Sequence, residues 1–197
     1  MSDEKDGGSA DQTERGLVER LQNGDNAAAR ELYLRYYDRL RRFAYSYVRS
    51  REAAEEVVQD TFLALLERRK SLELREGLRV YLYATVRNRA LKMIDHDRVV
   101  DRAEAAAVQD EVAPGMGARA DAPNERIEAD ALAAAVARAI ATLPERRRVA
   151  LVLRWRHQLP YADIARIMGT SVAAATIQVA RARETIAELI KGYTDRP

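Results

Sequence analysis

The feature that most constrains this chain is the run of residues 26–48, in which apolar side chains recur at steps of three and four residues. This spacing puts them on one face of a helix, because an α-helix has about 3.6 residues per turn. The run therefore predicts a long helix that buries one stripe in a core. The residues of the stripe are Leu32, Tyr36, Leu40, Phe43 and Tyr47.

The composition extends this prediction to the whole chain. Leu, Ala, Arg and Glu dominate, whereas the 197 residues include only 9 Gly and 5 Pro, a balance that favours helices over sheets. The hydrophobic content of 47% is enough for two compact units. We predict an all-α fold of two small helical bundles joined by a flexible linker, the C-terminal bundle ending in a helix-turn-helix.

Changes of composition set the predicted domain boundaries. Residues 1–12 are polar and predict a disordered tail, and a helical pattern starts near Thr13 and makes a first bundle over 13–98. Ser50 is placed to cap the second long helix of that bundle, and a third long helix is predicted from about Leu78 to His96. Residues 99–124 carry the breakers "APGMG" and "DAPN" and predict an acidic flexible linker. The second bundle covers 125–197.

The stretch "YADIARIMGTSVAAATIQVARAR", residues 161–183, has the rhythm of a DNA-binding helix-turn-helix. Gly169 sits at the turn, where a positive φ is cheap for glycine, and Ser171 can cap the second helix. A purely structural helical hairpin is the alternative that this pattern leaves open. The predicted inner positions are Ile164, Ala165, Met168, Ala175, Val179, Ala182, Ile186 and Leu189.

Charge is distributed unevenly along the chain. The whole chain has a net charge of +2, but two blocks are more basic than this average. Residues 17–100 contain 17 basic and 13 acidic side chains, and residues 131–197 contain 11 basic and 5 acidic side chains. Both blocks suit a polyanionic partner, and solvated faces without a partner are the alternative. An enzyme is not expected, because the chain has no cysteine and only two histidines, which lie in different blocks. We expect no cofactor, no metal and no membrane span, and a cytoplasmic location.

Three segments, in order, resemble the extracytoplasmic-function (ECF) sigma factors of the sigma-70 class. "GDNAAARELYLRYYDRLRRFAYSYVRSREAAEEVVQDTFLALLERR" and "LRVYLYATVRNRALKMIDHDR" resemble region 2, and "LPERRRVALVLRWRHQLPYADIARIMGTSVAAATIQVARAR" resembles region 4. The resemblance implies a non-enzymatic factor that binds core RNA polymerase through its β′ clamp and β flap and directs it to promoter DNA. Region 2 would recognise and melt the minus-ten element, and region 4 would hold the minus-thirty-five element. An anti-sigma factor is a further expected partner.

The resemblance also assigns residues to each contact. Core polymerase would be contacted by Glu56, Gln59, Asp60 and Phe62. Minus-ten DNA would be contacted by Tyr81, Tyr83, Thr85, Arg87, Asn88, Arg89, Lys92 and His96, although either tyrosine is equally suited to the core. Minus-thirty-five DNA would be contacted by Arg154, Arg156, Ser171, Val172, Ala173, Thr176, Ile177, Gln178, Arg181 and Arg183.

The second helix of the motif has few groups that read bases. Where the family usually places basic residues early in this helix, the chain has Thr176 and Gln178, which predicts weak or unusual minus-thirty-five recognition. An apolar patch at Val172 and Ile177 for an anti-sigma factor is an alternative. A helix-turn-helix regulator that acts without polymerase remains the rival function. A second rival function is that of a helical interaction protein that has lost DNA binding.

Overall fold

The computed structural model describes residues 6–74, 76–107 and 127–194, with side chains over 14–74, 76–96 and 133–191. Within these ranges the chain forms eight α-helices and no strand, which confirms the all-α prediction. A short 3₁₀ turn, Arg69–Ser71, follows α3, and a π-helical segment, Val152–Arg156, follows α6. The helices are α1 Asp6–Gln22, α2 Asn26–Val48, α3 Arg51–Glu67, α4 Leu78–Ala107, α5 Ile127–Thr142, α6 Glu145–Leu151, α7 Tyr161–Met168 and α8 Val172–Thr194.

Helices α1 to α4 form the N-terminal module around the predicted stripe of α2. All five members of that stripe are buried, and α2 packs on both α3 and α4. Local signals set the helix ends: the Asp25 side chain accepts a hydrogen bond from Ala27 N at 2.8 Å, and Ser50 Oγ accepts one from Ala53 N at 3.2 Å. Each cap satisfies a backbone donor that the first turn leaves unpaired.

Helices α5 to α8 form the C-terminal module. Pro144 immediately precedes α6, where its missing N–H is tolerated. Gly169 ends α7 with φ +62°, and Ser171 Oγ accepts a hydrogen bond from Ala174 N at 3.1 Å, so the predicted turn chemistry is confirmed. Ile164, Ala165, Ala175, Val179 and Ala182 are buried between the helices.

The two modules pack against each other. Helix α4 lies against α7, and α2 lies against α6 and the π-helical segment. Buried residues of both modules belong to one continuous hydrophobic cluster. The polar contacts across this boundary include Arg49 Nη2 donating to the Ala141 carbonyl at 2.8 Å. The sequence predicted two bundles but gave no information about this contact.

Several predicted boundaries differ from the structure. Helix α1 begins at Asp6, inside the segment expected to be a disordered tail, and α4 continues to Ala107, nine residues into the predicted linker. Residues 108–124, the rest of that linker, lie outside the described residues, as do the first two residues of the predicted second bundle. Leu189, predicted to face inward, is about half exposed. Among the described helices, none combines the length and apolar character that a bilayer crossing requires.

Candidate nucleic-acid interface

Helix α4 presents a row of polar groups on its outer surface. Asn88, Lys92 and His96 follow one another at four-residue steps, so they share a face, and all three are exposed. Tyr81, Thr85, Arg87 and Arg89 are half-buried beside them. Arg87 Nη1 donates a hydrogen bond to Asn88 Oδ1 at 3.1 Å. Together, the row and the residues beside it combine the Tyr81 ring, an amide and cations, which are groups that bind single-stranded nucleic acid.

Tyr83 is the exception among the predicted minus-ten residues. It is only 1% exposed, and its ring packs 5.0 Å from the ring centroid of Phe43. Its hydroxyl lies 2.9 Å from His157 Nδ1, and burial raises the pKa of the phenol well above its usual value. In this conformation Tyr83 is a core residue and does not reach the surface.

The residues predicted to contact core polymerase divide in the same way. Glu56, Gln59 and Asp60 are exposed on α3, whereas Phe62 is 6% exposed and packs 5.0 Å from the Tyr33 ring. Asp60 also pairs with Arg89 of α4 at 2.9 Å. The predicted polymerase face and the predicted DNA face are therefore adjacent.

Two exposed apolar side chains of the N-terminal module were missed from the sequence. Leu63 is more than half exposed on α3, and Leu34 is exposed on α2. Leu63 directly follows the buried Phe62, so it falls outside the inward stripe. An apolar residue one position after the inward stripe is the sequence signal that would have identified Leu63.

The outer face of α8 carries few groups that can hydrogen-bond a base. Val172 and Ile177 are 50% and 49% exposed, and Ala173 is exposed near them. Thr176 is exposed, but its hydroxyl donates to the Val172 carbonyl at 2.9 Å. That hydroxyl retains its acceptor lone pairs while its donor is used inside the helix.

Basic residues flank this face. Arg181 and Arg183 are exposed on α8 and Arg156 is exposed at the end of the π-helical segment, while Gln178 is half-buried. Arg154 is already engaged, because its Nη1 donates to the Leu159 carbonyl at 3.2 Å and its guanidinium lies 5.0 Å from the Tyr161 ring centroid. The arrangement favours phosphate contacts over base contacts.

His157 follows the exposed Arg156 in the sequence but does not share its exposure. It is buried between the modules, and burial together with Arg156, Arg39 and Arg42 lowers its pKa from 6.5 to about 4. The imidazole is therefore neutral at neutral pH.

A groove of about 1100 Å³ opens on the C-terminal module. Trp155, the only tryptophan, lines it and is 65% exposed, which is unusual for so large an apolar side chain. Val136, Leu151 and Val179 contribute to the groove from α5, α6 and α8. Trp155 is not among the residues predicted from the sequence, although an aromatic residue between two arginines was a usable signal.

No metal site accompanies these surfaces in the part of the chain that the structure describes. There, no group of three His, Cys, Asp or Glu side chains is arranged to hold an ion.

Comparison with known proteins gives consistent matches. The family model described as Sigma-70 region 2 matches residues 32–99, and the model described as Sigma-70, region 4 matches residues 133–186. The RNA polymerase sigma-H factor of Pseudomonas aeruginosa is 30% identical over 173 residues, covering 86% of this chain and 90% of that protein. The ECF RNA polymerase sigma-E factor of Escherichia coli is 30% identical over 177 residues, covering 88% of this chain and 92% of that protein.

Two solved structures have a similar fold. The sigma factor RpoE of Bartonella quintana, crystallised with the anti-sigma factor NepR, gives a TM-score of 0.61 at 24% identity, covering 85% of this chain and 98% of that chain. CnrH, in complex with the cytosolic domain of CnrY, gives 0.64 at 21% identity, covering 91% of this chain and 97% of that chain.

Proposed function

The chain belongs to the extracytoplasmic-function sigma factors of the sigma-70 class, and on that premise we propose how its surfaces divide the work of starting transcription. As a sigma factor it binds core RNA polymerase and directs promoter-specific initiation. The exposed groups of α3, α4 and α8 form its binding surfaces.

Helix α4 recognises the minus-ten element and holds its separated strand. Tyr81 stacks on an unpaired base, Asn88 and Thr85 contact base edges, and Arg87, Arg89, Lys92 and His96 hold phosphates. The exposed row of Asn88, Lys92 and His96 is the observation that carries this proposal. The free energy that keeps the strands apart comes from binding of the unpaired strand to the protein. Stacking of a base on an aromatic side chain contributes roughly 1–3 kcal/mol to that binding. The chain itself catalyses no reaction in this scheme, and it acts in the cytoplasm.

The outer face of α3 binds core polymerase at the β′ clamp. Glu56, Gln59 and Asp60 make the contact, with Leu63 adding an apolar group beside them. Phe62 supports this face from below through its packing on Tyr33. The ion pair of Asp60 with Arg89 joins the face to the DNA-binding row, so polymerase binding and strand capture involve neighbouring side chains.

Helix α8 holds the minus-thirty-five element chiefly through its backbone. Arg181, Arg183 and Arg156 bind phosphates, and Arg154 is anchored in place by Tyr161. Ser171, Thr176 and Gln178 supply the few base contacts, and Val172, Ala173 and Ile177 supply apolar contacts to thymine methyl groups. Sequence recognition by this helix is therefore weak.

The Trp155 groove receives an apolar segment of a protein partner. We assign it to the β flap of core polymerase, the partner that the family resemblance implies for this module. An anti-sigma factor is a competitor, because the similar RpoE structure contains one. The patch at Val172 and Ile177 is a second surface for an anti-sigma factor. Trp155→Ala is expected to weaken assembly with core polymerase, as measured by gel filtration, without loss of the helical circular dichroism signal.

Run-off transcription with purified core polymerase over a promoter library tests this function. Permanganate footprinting of unpaired thymines measures strand opening on the selected promoters. We expect Asn88→Ala to reduce opening at least tenfold, whereas Arg30→Ala, an exposed substitution on α2, leaves it unchanged. Sequence-specific duplex binding with no run-off product and no association with core polymerase would instead support a regulator that acts alone.

A further inference from the structure

Three exposed arginines lie near the buried His157. Arg39 and Arg42 are three residues apart on α2 and therefore share a face, and Arg156 ends the π-helical segment. Helix α2 packs on that segment, and all three guanidinium groups are near enough to the imidazole to act on its charge. Each module thus contributes cations to one place.

The packing of Phe43 explains why these cations meet. Phe43 lies one helical turn after Arg39 and directly after Arg42, so its contacts fix the part of α2 that carries both arginines. Its ring centroid is 6.0 Å from that of His157, which directly follows Arg156 in the chain. The contact between the two rings therefore brings the arginines of both modules to the same edge.

These cations have no acidic partner within the part of the chain that the structure describes. There, no carboxylate forms an ion pair with any of the three. Asp38, the acidic neighbour of Arg39 in the sequence, pairs instead with Arg41, whose Nη2 is 3.7 Å from Asp38 Oδ1. Because neighbouring like charges repel each other, an anion bound among the three arginines would remove an unfavourable interaction.

The hydrogen bonding of His157 leaves a buried donor unused. The Tyr83 hydroxyl lies 2.9 Å from His157 Nδ1, and Nε2 has no partner among the described residues. A hydrogen on Nδ1 would leave both the buried phenolic O–H and the Nε2 lone pair unsatisfied. When the phenol donates to Nδ1, only the Nε2–H is unsatisfied. This second arrangement costs less, so the group that lacks a partner is a donor and requires an acceptor.

From these positions we propose that Arg39, Arg42, Arg156 and His157, called the triarginine site below, bind a free ligand that carries two or three linked phosphate groups. Guanidinium groups match phosphate oxygens with paired donors, and the Nε2–H supplies one more donor. Because Nε2 is buried in the structure, binding requires the side chains that cover it to shift. The ligand contacts α2 and the π-helical segment together, so it bridges the two modules.

The spacing of the site favours a short phosphate chain over a nucleic-acid backbone. Side chains three residues apart on a helix have Cβ atoms about 5–6 Å apart, so Arg39 and Arg42 can converge on one small group. A di- or triphosphate concentrates several negative charges in such a group, whereas a nucleic-acid strand spreads single charges along its length. The site therefore suits a compact polyanion.

Titration calorimetry of the full chain with inorganic triphosphate, at physiological salt concentration, tests the site. We expect Arg39→Gln and Arg42→Gln each to weaken binding about threefold to fivefold, the upper range for exposed ion pairs, and the double variant to weaken it roughly tenfold or more. Arg30→Gln is the matched control, because it removes the same charge from an exposed position of α2 about 13 Å away along the helix axis. Arg156 is kept, because it is also assigned to minus-thirty-five DNA.

Nitrogen-15 NMR of the histidine side chains gives a second measurement that general attraction of anions does not affect. We expect triphosphate to shift the Nε2–H resonance of His157 in the wild type and in Arg30→Gln, and much less in the double variant. His157→Gln, which lacks this resonance, assigns it. Circular dichroism checks that every variant keeps its helices.

The outcomes distinguish a built site from adventitious binding. Equal triphosphate affinities in the wild type and the double variant, or sulfate binding as tightly as triphosphate, refute the triarginine site. Triphosphate binding that leaves the Nε2–H resonance unchanged refutes the contact with His157. A single-stranded oligonucleotide that loses affinity in the double variant, while triphosphate does not bind, assigns the arginines to nucleic acid and refutes a free ligand. None of these results depends on whether the chain supports transcription.

Discussion

Acidification is expected to separate the two modules through His157, which lies in the contact between them. The closed form is the packed arrangement of the structure, and the open form is one in which the modules are apart. The imidazole contacts Tyr83 of α4 and Phe43 of α2, with ring centroids 5.2 and 6.0 Å away. The charged groups around it are Arg156 of its own segment and Arg39 and Arg42 of α2. All three arginines are cationic, so they oppose a second positive charge in the site. Opening the modules removes the burial and the two α2 charges, which returns the imidazole toward its ordinary pKa.

The size of the effect follows from the pKa difference. The pKa of His157 is about 4 in the closed form, against an ordinary value of 6.5. Because the open form takes up the proton first, neutral His157 favours closure fully above pH 6.5, and this contribution declines as the pH falls from 6.5 toward 4. Between pH 8 and pH 5 the closed form loses about 2 kcal/mol, or roughly thirtyfold in the closing equilibrium.

The assay is the distance between two fluorophores, followed between pH 8 and pH 5. The fluorophores are attached at Asn23→Cys and Glu184→Cys, which are exposed positions in a chain without native cysteine. His157→Gln is the control, because glutamine can still bond the Tyr83 hydroxyl but does not titrate in this range. The other histidine, His96, remains in both proteins. We expect wild type to open with falling pH and the variant to respond much less. Equal pH responses in the two proteins would show that His157 does not control the contact.

Three further changes probe the core, the turn and the DNA surface. Phe43→Ala removes a fully buried ring that touches Tyr47 and Tyr83, and urea unfolding is expected to show a loss of about 3–5 kcal/mol; a loss below 1 kcal/mol contradicts the packing described here. In Gly169→Ala the new methyl group meets no atom within 4 Å, so only the backbone φ of +62° opposes the substitution. The thermal unfolding midpoint should therefore fall by an amount equivalent to about 1 kcal/mol. Arg183→Ala is expected to weaken minus-thirty-five binding equally for all sequences and to reduce the salt slope by about 0.9, as measured by fluorescence anisotropy at several salt concentrations; a change confined to one base would indicate direct reading.

The helices and most of their ends are encoded locally in the amino-acid sequence. The stripe of α2, the caps at Ser50 and Ser171 and the positive φ at Gly169 all depend on neighbours within a few residues, so their signals are local. Family resemblance then supplied the order of the two modules and the residues to examine. The exposed row of α4 and the poor base-reading face of α8 follow from helical periodicity, which fixes the directions of side chains on one helix.

Which of these side chains are available to a partner depends on long-range packing. Tyr83 meets His157 across 74 positions of the chain, and Arg148 meets Ser46 across 102. No local pattern encodes such contacts, because they depend on how two separately patterned modules pack. Packing of α3 on α2 within the N-terminal module buries Phe62, and folding within the C-terminal module leaves Trp155 exposed. Whether a polar or aromatic side chain binds a partner or belongs to the core was therefore settled by long-range burial, because residue type and helical spacing are the same in either case.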